Sequence, residues 1–155
     1  MSTATQADEF KFQFYMSTKD MFRLEPDTEQ VLVTFGAPAN YAPPDIVSFL
    51  DVIGDQSMAT MGNRGREESL LLTVSISCIV NGGQEAELLA ARRAYALLRA
   101  IEYHARVTDT TLGGSVRHCF LERHTSSGQT DPALIAQGRV CEIVAEFRAQ
   151  ARVSN

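Results

Sequence analysis

The sequence predicts an α+β domain: a mixed, mostly antiparallel sheet with one long helix and a shorter N-terminal one packed on one face. Three observations carry this. Glu67–Val80 alternates apolar and polar residues, Glu85–Val107 repeats its apolar residues at helical spacing, and Arg139–Arg152 alternates again. Strands, one long helix, then further strands is the order of a sheet with helix laid on one side.

Taken in order, Phe10–Leu24 fits two patterns. Phe10, Phe12, Phe14 and Met16 alternate as in a strand, whereas Phe10, Phe14 and Met21 suit a helix, and the helical pattern is preferred. Pro26 and Asp27 break it. Val31–Phe35 reads as a short buried strand ended by Gly36 and Pro38, and the loop Ala37–Pro44 closes on two prolines that cannot donate to a ladder. Ile46–Ile53 is the next strand, and a polar stretch, Gly54–Arg66, leads to the long strand 67–80. There Leu70, Leu72, Val74, Ile76, Cys78 and Val80 share one face, opposite Ser69, Thr73, Ser75 and Ser77.

Asn81–Gly83 ends that strand. The helix that follows carries Leu89, Ala90, Ala94, Leu97, Leu98 and Ile101 in its stripe, with Glu85 and Glu87 in its first turn and His104 and Arg106 near its last, which complements the helix dipole. At roughly 35 Å it is expected to cross the whole sheet. After a turn at Thr111–Gly114, Ser115–Arg123 and Arg139–Arg152 form an antiparallel pair. Cys141, Ile143, Ala145, Phe147, Ala149 and Ala151 face one way, and Glu142, Glu146, Arg148, Gln150 and Arg152 the other. Between these strands, His124–Gly138 holds room for one helical turn with Asp131 as N-cap and Pro132 at its first position.

The 155 residues form one expected domain, 1–155, with residues 1–9 as a flexible leader. A hydrophobic fraction of 45% against 21% charged residues excludes both a disordered chain and an apolar membrane protein. Met1–Gln6 is polar where a signal peptide would be apolar, so the protein is expected to stay inside the cell that makes it. Three cysteines without C-x-x-C spacing suit packed, reduced thiols. The net charge of -5 lacks the basic footprint of a stable nucleic-acid binder, leaving only transient contact with passing DNA.

Chemistry is sparse. On a regular strand His118, Glu122 and His124 would share one side, yet His118 and Glu122 would stand about 13 Å apart, too far to hold one ion. Cys119 and His118 face opposite ways and cannot act as nucleophile and base. Gly62-Asn63-Arg64-Gly65-Arg66 lacks the Gly-Lys-Ser/Thr ending of a phosphate loop and precedes a strand, so Arg64 and Arg66 are at most a contact loop for a partner or DNA. No acid and base pair is placed by local spacing. No catalytic, cofactor or metal site is expected. What stands out is strand length: segments of about 14 residues exceed the usual five or six, and such arms leave edges that a neighbouring subunit can cover.

This layout resembles the tail terminator, or tail-completion, proteins of long-tailed bacteriophages, also called minor tail proteins. The likeness spans roughly residues 28–152. It rests on Val31–Phe35 with its Gly36-x-Pro38 end, the strand Asp45–Ile53, the Gly62-x-x-x-Arg66-Glu67 approach, the Ala-rich helix from Ala86 to Ala100, the Asp109-Thr110-Thr111-Leu112-Gly113-Gly114 turn and the closing Ala149-Gln150-Ala151-Arg152. The aromatic-rich start, Phe10–Phe22, departs from the Ala and Leu helix expected there. The resemblance implies a non-enzymatic subunit with no cofactor. It would form a hexameric ring on the head-proximal end of the tail tube, with the tube protein, the head connector and passing DNA as partners. A neck connector of the same general fold is the nearest alternative, and a small hydrolase or nucleotide-modifying enzyme a more remote one.

Overall fold

The computed structural model describes residues 4–39, 43–58, 65–127, 130, 132, 135 and 138–153. Helix α1 (Ala7–Arg23) is followed by β1 (Leu32–Phe35), β2 (Asp45–Met58), β3 (Arg66–Val80), α2 (Gln84–Tyr103) with a π turn at His104–Thr108, β4 (His118–Ser126) and β5 (Arg139–Val153). The sheet order is β1-β2-β3-β5-β4. Only β1 and β2 run parallel; the other three pairs are antiparallel, so the α+β class holds.

Both helices lie on one face and divide it between them. α1 packs on β1 and β2, and α2 packs on β3 and β5. The long helix therefore does not span the sheet as expected, because the aromatic α1 occupies the β1–β2 half. Phe10, Phe14 and Phe22 are buried whereas Phe12 is exposed, which decides for helix over strand in this segment. The ring of Phe14 meets Phe49 and Phe147, each at 5.2 Å between centroids, the second edge-on. Each such pair adds about 0.5–1.5 kcal/mol beyond area burial.

On α2 the buried stripe is Ala86, Ala90, Ala94, Leu97, Leu98 and Ile101. Leu89 is not in it: at 100° per residue it lies about 120° from the stripe's centre, and it is exposed. The alanines meet a sheet in which β5 buries Ala145, Ala149 and Ala151, and small residues on both sides let helix and strand approach closely.

Strand limits differ from the sequence reading in two places. β2 continues through the polar Gly54–Met58, because its backbone stays in ladder with Leu70–Arg66 while its side chains face water. Gly54 sits tightly there: a Cβ would come within 3.1 Å of the Glu68 carboxylate and 3.2 Å of Leu70, so those side chains would have to shift by a few tenths of an ångström. β4 begins at His118 and runs to Ser126, since the preceding turn extends through Ser115. In that turn Leu112 adopts φ 45° and is fully buried, followed by Gly113 and Gly114 at φ 71° and 82°. Left-handed backbone at a leucine is strained, and burial of its side chain offsets the cost.

Residues 4–6 of the leader are tied to β2 and β3 by hydrogen bonds. Thr5 Oγ1 donates to Glu68 Oε2 at 2.6 Å, the Gln6 backbone N–H donates to Oε1 at 2.7 Å, and Gln56 Nε2 donates to the Ala4 carbonyl at 2.6 Å. Residues 1–3 and Asp131 lie outside the described residues.

Candidate functional site

The helix-free face of the sheet has no element packed over it among the described residues. It is built from the alternate residues of each strand: Ser69, Thr73, Ser75 and Ser77 on β3, Glu142, Glu146, Arg148 and Gln150 on β5. Arg148 organises its centre. The guanidinium donates to both Glu122 oxygens at 3.2 Å and to Ser69 Oγ at 2.9 Å. Arg123 pairs with Glu146 at 3.3 Å, and Arg117 donates to Glu67. Exposed apolar side chains sit among these charges: Ile53, Phe120 and Val144.

Of the two arginines singled out in sequence, Arg64 lies outside the described residues. Arg66 opens β3, half-buried between Met58 on β2 and Val153 on β5, so it sits in the ladder and not in a loop. The three residues weighed as ligands are parted by a bulge at Glu122. The extra residue turns the strand, so His118 and Glu122 stay on the helix-free face while His124 packs edge-on against Tyr95 of α2 at 5.7 Å. Among the described residues no group of His, Cys, Asp or Glu could hold a metal ion.

All three cysteines are free and buried. Burial pushes the Cys119 thiol up to about 12 and raises Cys78 and Cys141 as well, the first further by Asp45 and the second by Glu87. Thiolates are the reactive form, so none of these thiols is activated.

One cluster was not foreseen. Ser17 on α1, His104 in the π turn and Asp109 just beyond it meet in an open cleft of about 620 Å³, also lined by Gln13, Met16 and Glu25. Ser17 Oγ contacts His104 Nε2, and Asp109 Oδ2 stands 3.5 Å from the same hydroxyl. Burial lowers the His104 pKa, and Asp109 offsets part of the shift. In a nucleophile, base and orienter arrangement the carboxylate holds the imidazole. Here it addresses the hydroxyl, and its other oxygen accepts from the Gly113 N–H at 3.4 Å. The geometry is that of a strut between α1 and the turn. Serine and histidine 87 positions apart carry no sequence signal. Glu68, fully enclosed on the helix face, was legible: it is in phase with Leu70 and Leu72.

No helix among the described residues is long and apolar enough to cross a membrane. No protein-family model matches the chain, and no curated protein matches it.

Proposed function

We propose that this chain is a tail-terminator-like structural subunit. Copies of it form a hexameric ring on the head-proximal end of a phage tail tube, end tube polymerisation and offer the head connector its surface. The observation that supports this is an incomplete sheet. One face is sealed by two helices, while the other face, β4 and most of β2's outer edge have no cover among the described residues. Exposed edges of that length are normally blunted or paired, and a repeated head-to-tail contact pairs every one of them. The acidic balance suits a lumen through which DNA slides, because like charges repel.

Electron microscopy and native mass measurement of the purified protein, alone and with tail tube protein, test the reading. Rings as wide as the tube are expected, and tubes capped at one end. A strict monomer at high concentration in both settings overturns it. A neck connector would form rings that leave tube length unchanged. A small hydrolase takes its support from the contact between Ser17 and His104. It would show esterase or phosphatase turnover that Ser17→Ala abolishes.

A further inference from the structure

The two margins of the sheet are unlike in a way that selects a partner. β4 is a terminal strand of nine residues. On the opposite side β1 pairs with β2 only from Ile46 to Phe49, leaving the nine residues Leu50–Met58 bare on their outer edge among the described residues.

Polarity is fixed by the topology. β2 to β3, β3 to β5 and β5 to β4 are all antiparallel, so β4 runs opposite to β2. A second copy laid alongside, with its helices on the same side, therefore presents β4 antiparallel to the first copy's β2, a pairing that needs no crossover. Charge agrees. The bare stretch of β2 carries Asp51 and Asp55 and no basic residue, whereas β4 carries Arg123, whose guanidinium pairs with Glu146 of its own copy at 3.3 Å yet stays largely exposed.

Register follows from sterics and side-chain facing. Within one copy Arg123 of β4 is level with Glu146 of β5 and Thr73 of β3, beside the bulge that follows Phe49, and Ser126 is level with Ile143, Ile76 and Val47. Straight addition would drive His124, Thr125 and Ser126 into β1. The incoming strand must slide toward the β2–β3 tip, and by an even number of residues, or every side chain changes face. A slide of two still places Ser126 at Phe49, which β1 occupies. About four residues, or roughly 13 Å, is the smallest slide that clears it. It sets Arg123 opposite Asp55, His124 opposite Gly54, Thr125 opposite Ile53 and Ser126 opposite Val52. Arg123 and Asp55 then share the helix-free face, and the imidazole of His124 lies over a residue with no side chain.

We propose that copies of this chain join through β4 of one and the outer edge of β2 of the next, antiparallel, with Arg123 opposite Asp55. This specifies the subunit contact of the ring reading and rests on it. A stagger repeated at every contact is what a sheet needs in order to close on itself with tilted strands, so the short β1 acts as the stop that sets the stagger.

Disulfide trapping tests the register. Thr125 and Ile53 are both exposed, and directly opposed residues across a strand pair stand close enough for an S–S bond. Under mild oxidation Thr125→Cys with Ile53→Cys in one chain is expected to give a ladder of linked subunits on a non-reducing gel, with most of the protein in it. Thr125→Cys with Ser57→Cys, about 13 Å out of register, is expected to link at least tenfold less. The buried native thiols leave a low background, and a melting temperature equal to the parent's shows that both variants fold. If rings form but the first pair does not link, or both pairs link equally, the contact is wrong and the ring reading stands. If the parent chain is monomeric alone and with tube protein, both fall.

Discussion

The two faces of one sheet in this protein follow opposite rules. On the helix face, Leu70, Leu72, Val74, Ile76, Ile143 and Phe147 are fully buried, and even a carboxylate, Glu68, is enclosed and hydrogen-bonded. On the other face the same strands carry serine, threonine and paired charges, half-exposed and meeting nothing else among the described residues. Folding free energy is concentrated where water has been removed, and the wet face is left for contacts that folding does not need.

Neighbouring residues on β5 give the sharpest test. Phe147→Asp would bury an unpaired carboxylate against Phe14, and the expected outcome is loss of the cooperative thermal transition, a cost above about 4 kcal/mol. Phe14→Ala removes the ring that joins Phe10, Phe49 and Phe147 and should cost about 3–5 kcal/mol in denaturant unfolding. Glu68→Ala would orphan the Gln6 N–H and the Thr5 hydroxyl. A loss of about 1–3 kcal/mol is expected, with faster proteolysis of the first ten residues.

A smaller effect comes from pH. The His104 pKa lies below its ordinary 6.5, chiefly through burial. As pH falls below 6.5 the unfolded chain takes up a proton that the folded chain resists, so stability should drop from 6.5 down through the folded value and be unaffected above it. Thermal melts of His104→Gln across that window should be flatter than those of the parent. Glu87, held low by Thr130 and Arg139, adds a further loss only below its ordinary 4.5.

The smallest effect is expected on the wet face. Arg148→Glu breaks the pair with Glu122, yet partly exposed pairs contribute about 0–1 kcal/mol, so the melt should move by only a few degrees. Equal melts for Phe147→Asp and Arg148→Glu would end the contrast between the faces.

Much of this was legible in one dimension. The alternation in β3 and β5 assigned the alternate residues from Leu70 to Cys78 and from Cys141 to Ala151 to the buried face, because a period of two leaves no other choice once one side must be dry, but the reading passed over Glu68 and Val153 at the strand ends. The α2 stripe was legible except that Leu89 was included and Ala86 left out, because spacing alone does not say where the apolar arc ends. β2 was read short at Ile53, since a strand whose outer residues face water carries no hydrophobic signal. The bulges at Leu50–Asp51 and Glu122 were invisible for a related reason: an extra residue is defined only by the partner it fails to match.

Local pattern by itself determined the α+β class and the covered face of β3 and β5, because these depend on periodicity and on the cost of wetting apolar side chains, while the aromatic start fitted both strand and helix until its burial was seen. Only the tertiary structure decided that the two helices divide one face between them, that Ser17 meets His104, and that β1 lies parallel to β2 over only four residues and bares the rest of its outer edge among the described residues. Those outcomes depend on strand order and register, which are set by distant residues meeting across the sheet and leave no trace in the spacing of neighbours along the chain.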